Sequence, residues 1–400
     1  FICRDRKWNV IPGSGENCEG VCVAYGDPHY LTFDDKVYSF QGSCKYTFMK
    51  TNGIPSQSIP SIHVSLANIA CGSRKVTCTK YVRILIGEDS YTLYRGKQVD
   101  DMPLARKQSD VSIEHLTLFT QVVSEKLGFR LLWDRGTRVY LYLKPVYKGQ
   151  VTGLCGNFDD NQLNDFSHDS MTFDDPVQFG KSWTTGMDSC PDDTTTQAPK
   201  KPTDLCEANP GRKEWAEEEC YRIKDQSGVF GSCISGLGSD VDRYYENCMY
   251  DACGCDRGGD CACLCTALSA FASRCNEAGV YVKWRSNDLC PVMCEGGKEY
   301  RSCSSPCEQT CQNIGSDPAP HCQTGMCIEG CYCRNGTVDH NGECIDAKDC
   351  PCYYQGREYT KGSMIYKNET CQTCKCTENG RFQCKENLES AVCQLTTSPP

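Results

Sequence analysis

No stretch of this 400-residue chain stays apolar long enough to cross a bilayer as a helix, so no membrane insertion is expected. Positive charge is not in excess either. Forty-two Lys and Arg face 52 Asp and Glu, a net charge of −10, which excludes the electrostatic footprint of a nucleic-acid binder. Histidine is scarce. His29, His63, His115, His168, His321 and His340 are the six present, and none stands in an HExxH or GxSxG context, so no hydrolytic enzyme is expected. Gly (35) and Pro (18) are too few for a collagen-like or wholly disordered polymer.

What the chain has in abundance is cysteine: 35 residues, a density that points to an oxidising, secreted or extracellular setting. The number is odd, so at least one thiol must lie outside any set of pairs made within the chain. The start at Phe1 and the ending -TTSPP read as an excerpt of a longer exported chain. Cysteine is also uneven. Residues 22–190 hold six and must bury a core of their own, whereas residues 206–400 hold 27 and read as small modules stapled by disulfides.

The first region patterns as β. Val82–Gly87, Tyr91–Tyr94, Tyr30–Asp34 and Val37–Phe40 read as short strands. Phe129–Leu143 reads as a hairpin turning at Asp134-Arg-Gly-Thr137, with Val139, Leu141 and Leu143 on one face. Many short strands with Gly/Asp turns predict a β-sandwich. Residues 191–205, rich in Pro, Thr and charge, read as a linker suited to O-glycans. Beyond it, Glu214–Ile223 and Leu264–Asn276 have helical spacing, with Leu264, Leu268 and Phe271 on one side. From Cys294 onward, loops and small hairpins are expected. Ten cysteines fall within 294–350, enough for five bridges, and disulfides fit them better than zinc.

Four motifs occur in order: Gly26-Asp-Pro-His-Tyr-Leu-Thr-Phe-Asp34, Gly153-Leu-Cys-Gly-Asn-Phe-Asp159, Asp251-Ala-Cys-Gly-Cys-Asp-Arg-Gly-Gly-Asp-Cys-Ala-Cys-Leu-Cys265 and Cys331-Tyr-Cys333. Phe179-Gly-Lys-Ser-Trp183 accompanies the first two. Together they resemble the D assembly of von Willebrand factor and the gel-forming mucins, most nearly a mucin's third. The resemblance implies a multidomain, mainly β chain. Its parts would be the tail of an E-like module (1–18), a VWD β-sandwich (19–190), the linker (191–205), a helical disulfide-rich C8 module (206–290), a TIL module (291–350), an E-like module (351–394) and the start of a Thr/Ser/Pro tract (395–400). Thr152 departs from the family pattern, as do Val10 and Tyr281, all at positions where relatives often carry Cys.

Chemistry concentrates in the loop Asn157–Asp165. Asn157, Asp159, Asn161, Asn164 and Asp165 offer the oxygen ligands a calcium ion takes, although Asn and Asp also favour plain turns. The resemblance implies a calcium site here, with Asp27 as a remote ligand and a Cys22–Cys155 bridge beside it. Cys44, Cys190, Cys71 and Cys78 are the other candidates for bonds inside this domain. Asp27-Pro28 is an acid-labile bond, and relatives self-cleave in this tetrapeptide. His29 would assist proton transfer, in competition with a structural role for Asp27. Cys220 and Cys265 match positions that relatives use for bonds between chains, with intradomain pairing as the alternative. Asn335 and Asn368 head N-glycosylation sequons, and Cys371–Cys376 reads as a structural cluster.

These features predict a secreted, calcium-binding structural glycoprotein segment that forms disulfide-linked homo-oligomers of a mucus-like polymer, with contacts to other extracellular glycoproteins. Two other functions fit the same modules. One is adhesion or ligand capture of the zonadhesin kind. The other is protease inhibition through the TIL loop Gln323–Met326, which is short for a substrate-like segment.

Overall fold

The computed structural model describes residues 2–4, 7–9, 19–26, 29–52, 60–71, 76–95, 111–186, 205–255, 260–314, 322, 327–367, 370 and 372–386. Two compact units divide the chain at Cys290/Pro291.

In the first unit a hairpin, β1 (Ile2–Arg4) and β2 (Lys7–Asn9), precedes β3 (Gly20–Tyr25), β4 (His29–Leu31) and β5 (Val37–Ser39). Next come β6 (Lys45–Thr51), β7 (Ile62–Cys71), β8 (Val76–Ile86) and β9 (Asp89–Tyr94). They are followed by β10 (Ser112–His115), β11 (Thr120–Ser124), β12 (Phe129–Trp133), β13 (Val139–Leu143) and β14 (Val151–Thr152). Two antiparallel sheets result. One runs β10-β11-β12-β13-β3-β4-β5 and the other β14-β6-β7-β8-β9.

Alternation explains why the sheets meet. Val139, Leu141 and Leu143 turn into a core that Phe48, Val64 and Ile84 of the other sheet also enter, all fully buried. The expected β12–β13 hairpin forms with the register Phe129↔Leu143. Asp134 makes its turn: one carboxylate oxygen accepts the N–H groups of Gly136 and Arg138, the other the Arg138 guanidinium at 2.9 Å. Cys22 of β3 is bonded to Cys155, a loop of 133 residues, which the chain-entropy account values at about 5 kcal/mol. Cys44 is also bonded, whereas Cys190 and the side chains of Cys71 and Cys78 lie outside the described residues. A small hairpin, β15 (Ser167–His168) and β16 (Met171–Thr172), and helix α1 (Pro176–Ser182) close the sandwich, with Phe179 fully buried.

The helical stretch comprises α2 (Leu205–Ala208), α3 (Pro210–Cys220), α4 (Gly231–Leu237), α5 (Ser239–Gly254) and α6 (Asp260–Glu277). Leu268, Phe230, Phe271 and Trp284 form its interior, too small to stand unaided and tied by five disulfides. Two of these take up the candidates for bonds between chains. Cys220 is bonded to Cys248 and Cys265 to Cys290, the intradomain alternative for both. Helix geometry is the reason. The end of α3 sets the Cys220 Cα 5.8 Å from that of Cys248 on α5, and Cys220 is fully buried, out of reach of a second chain's thiol.

The helices lie on the outward face of the seven-stranded sheet. Tyr25 stacks on Tyr244 at 5.7 Å and accepts a 2.6 Å hydrogen bond from Asn247. Burial pushes the Tyr140 and Tyr142 hydroxyls above their ordinary range. This sheet is therefore covered on both faces, which is why its strands read as apolar runs as well as alternations.

The second unit pairs β17 (Glu299–Ser304) with β18 (Ile328–Tyr332) and β19 (Thr337–His340) with β20 (Glu343–Asp346). All ten of its first cysteines are bonded: 294–331, 303–327, 307–322, 311–350 and 333–344. A second hairpin set follows, β21 (Cys352–Tyr354) with β22 (Arg357–Tyr359), then β23 (Met364–Lys367), β24 (Gln372–Cys376) and β25 (Phe382–Glu386). Cys352–Cys376 and Cys374–Cys384 hold it. Asn335 sits exposed in the turn before β19, as an acceptor site requires, whereas Asn368 and the loop Gln323–Met326 lie outside the described residues.

Candidate metal centre

Directly after the bonded Cys155 the chain enters an oxygen-rich loop. Gly156 opens it with φ +75°, and a Cβ there would meet Asp165 Oδ1 at 2.0 Å, so glycine is required twice over. The loop closes on itself through Asp159. One carboxylate oxygen accepts the amides of Asn157 (3.0 Å) and Asn164 (2.7 Å), and the other accepts the Asn161 N–H. Asp165 is buried. It accepts the Thr32 hydroxyl at 2.7 Å and the Asn157 N–H at 3.2 Å, which fixes the loop to the end of β4.

Asp34 arrives from that same strand end. Its two oxygens accept the N–H groups of Asp159 (3.0 Å) and Asp160 (2.8 Å). Asp34 is the acid of the opening motif that reaches the loop, a residue the motif reading passed over in favour of Asp27, which lies outside the described residues. Phe33 donates its N–H to the Cys155 carbonyl at 3.1 Å, and this long-range pairing brings Asp34 to the loop. Asn161 is placed differently from expectation. Its side chain accepts the Leu163 N–H, and so serves a turn.

The electrostatics are those of a site short of positive charge. Burial pushes the Asp165 carboxyl up to about 7. The Asp34 charge adds to this, and the Thr32 and Asn157 hydrogen bonds oppose it. Burial likewise raises Asp34 against the N–H groups of Asp159 and Asp160. Lys148 is spent on Asp160, with both oxygens within 2.7 Å. Asn157 Oδ1 is buried and meets no donor. An orphaned amide oxygen among three carboxylates fits a hard cation taking only oxygen, with Asp34, Asn157, Asp159, Asn164 and Asp165 as the residues that would hold it.

A second acidic group, Glu308, Cys333 and Asp339, does not fit a metal. Cys333 is bonded to Cys344, and the Lys298 ammonium stands 2.8 Å from both carboxylates. A built-in cation already occupies the place.

Gly26 and His29 face the helices. His29 Nε2 is 2.9 Å from Asp251 Oδ1 on α5, its Nδ1 is 3.1 Å from Ser39 Oγ, and its ring meets Tyr250 edge-on. Gly26 has φ +59°, and a Cβ would lie 2.2 Å from Asp251 Oδ2. Pro28 lies outside the described residues.

Three family models match the chain in succession: the von Willebrand factor type D domain at residues 22–172, the C8 domain at 219–291 and the trypsin inhibitor like cysteine rich domain at 294–350. The chain belongs to the VWD–C8–TIL assemblies. SCO-spondin of Gallus gallus is 38% identical over 403 residues, Mucin-5B of Homo sapiens 38% over 408 and Mucin-2 of Homo sapiens 34% over 403. These alignments cover 98%, 98% and 96% of this chain, and the chain spans 7% of each relative. The oxygen-rich loop and Asp34 thus lie inside the VWD domain, and Asp251 inside C8.

Proposed function

We propose that this VWD–C8–TIL segment is a calcium-stabilised joint in a secreted, extracellular glycoprotein polymer linked by disulfides, of the kind formed by a gel-forming mucin's third D assembly. The observation that carries the reading is the framework itself. Thirteen disulfides among the described residues staple the VWD, C8 and TIL modules and the hairpins that follow, in a chain that aligns with Mucin-5B and Mucin-2 over nearly its whole length. Rigid, protease-resistant units suit a chain that must bear load between flexible tracts. The 35 cysteines cannot all pair among themselves, so at least one is free or bonded outside this segment, which leaves a thiol for a covalent link.

Calcium would tie β4 to the loop after Cys155, since among the described residues the loop's ion pair is Lys148 with Asp160, which leaves Asp34, Asp159 and Asp165 to the ion. Its chemistry here is structural: it neutralises buried carboxylates and turns the Asn157 and Asn164 amide oxygens inward. The test is electrophoresis and sedimentation of the purified chain, with calcium and with EDTA. Covalent multimers that collapse only under reductant, together with a melting temperature lowered by EDTA, are expected. A monomer without reductant, indifferent to EDTA, refutes both parts.

A further inference from the structure

Tyr30 with Tyr38, Tyr25 with Tyr244 and Tyr81 with Tyr94 are ring pairs at almost the same separation, their centroids 5.0, 5.7 and 5.6 Å apart. Their surroundings differ. Tyr30 and Tyr38 lie in the sandwich core at 3% and 6% exposure. Tyr25 and Tyr244 lie between the sheet and the C8 helices at 5% and 7%. Tyr94 is 47% exposed and Tyr81 half-buried. The third pair therefore combines ring contact with access from solvent.

Strand register explains the contact. β8 and β9 form a hairpin whose pairs run from Ile86↔Asp89 to Tyr81↔Tyr94. The Arg95 N–H donates to the Lys80 carbonyl at 3.0 Å, so the adjacent pair, Tyr81 and Tyr94, is a non-hydrogen-bonded one. In such a pair the Cα atoms approach to about 4.5 Å and the side chains stand closest. Val82, Ile84 and Leu93 are buried in the core, so by alternation Tyr81 and Tyr94 project from the opposite face. β9 is the last strand of its sheet, and the pair ties this edge to its neighbour.

We propose that Tyr81 and Tyr94 are a site of oxidative cross-linking, joined as dityrosine by a haem peroxidase acting with hydrogen peroxide. The peroxidase removes one electron and one proton from each phenol. The two phenoxyl radicals then form a C–C bond between the ring carbons beside their oxygens, and each ring moves its displaced hydrogen onto its own oxygen. Two hydrogens leave overall, and peroxide takes them up to become two waters. Rings already in contact couple before either meets a ring of another chain, because the encounter has been made in advance. Among the described residues the cysteines are already disulfide-bonded, so a further oxidant falls on other side chains. The product holds β9 to β8 by a bond that reductant leaves intact.

The full chain is treated with a haem peroxidase and hydrogen peroxide, then reduced and separated by size, so that only dityrosine still joins one chain to another. Mass spectrometry of digested single chains should recover a peptide pair linked through Tyr81 and Tyr94, lighter than the sum of its halves by the lost hydrogens. Tyr81→Phe and Tyr94→Phe should each lower the dityrosine fluorescence of single chains about tenfold. Tyr281→Phe should leave it unchanged, since Tyr281 is 59% exposed but has no tyrosine ring against it among the described residues. The mapping needs no variant and phenylalanine keeps the ring, so a folding defect cannot imitate the result. The proposal is overturned if single chains contain no dityrosine, or if Tyr94 is recovered only in chains joined to each other. It is also overturned if Tyr30 and Tyr38 couple as readily as Tyr81 and Tyr94, because access would then not decide the site.

Discussion

Asp251 Oδ1 stands 2.9 Å from His29 Nε2, with each side chain 2% exposed, so an acid of the C8 module and an imidazole of the VWD domain meet in a place that water does not reach. The pair is flanked by Tyr25 with Asn247 and by Gly26, whose missing Cβ leaves room for the carboxylate. Removing one partner of such a pair strands the other, at a cost of about 3 kcal/mol. Asp251→Ala should therefore lower unfolding stability by that order in denaturant titrations. Gly26→Ala should do similar damage through the 2.2 Å clash and a backbone angle disfavoured for alanine. Combining it with Asp251→Gly should cost less than the sum of the two single changes, because the clash is gone. Strict additivity in denaturant titrations would refute the latch.

The metal loop predicts a hierarchy among residues that look alike in sequence. Asp34→Asn and Asp159→Ala should weaken calcium binding at least about tenfold by calorimetric titration, since each removes a carboxylate from the cluster. Asn161→Ala should leave affinity within about threefold, because its side chain is committed to the Leu163 N–H and its own N–H to Asp159 is kept. Equal losses at all three positions would mean that the loop is a generic acidic turn.

Without the ion, pH should act in an unusual direction. Asp165 has its folded-state carboxyl raised by burial to about 7, above the value of an unfolded chain. A raised carboxyl favours the protonated fold. The stabilisation is full below about pH 4 and is lost as pH rises through about 7. In EDTA the VWD domain should thus melt at a lower temperature at pH 7.5 than at pH 5.5. Added calcium should flatten or invert that slope. Thermal melts at the two pH values check the sign, and Asp165→Asn should reduce the slope in EDTA, with the raised Asp34 carboxyl supplying the remainder.

The sandwich and its bridges were readable because they rest on local or counted signals. Val139, Leu141 and Leu143 alternate visibly, and a block of ten cysteines in 294–350 admits five bonds whatever their pairing. Helix α5 was read only in part. It lies in the stretch 206–290 that was expected to be helical, but its own pattern was not singled out, although Val241, Tyr244 and Cys248 recur at helical spacing and are buried. Asp34 was missed for a different reason. It lies more than 120 residues from the loop it joins, and only the pairing of Phe33 with Cys155 brings them together. Spacing within the loop likewise could not separate Asn161 from Asn157 and Asn164. That distinction depends on which amide finds a backbone N–H and which is left facing a carboxylate.

Cys220 and Cys265 give the test that bears most directly on how chains are joined. The structure spends both within C8, on Cys248 and Cys290. Peptide mapping without reduction should recover those two linkages from monomer and multimer alike. Cys220→Ala should destabilise the module by about 2–5 kcal/mol, the ordinary cost of deleting a native disulfide from a small domain. It should also leave Cys248 reactive towards thiol reagents. If multimers form through another cysteine, the Cys220→Ala/Cys265→Ala chain should still make them, in lower yield because it folds less well. Loss of every covalent multimer, with the monomer still folded by circular dichroism, would return these two residues to the interchain role and require the C8 helices to exchange partners on assembly.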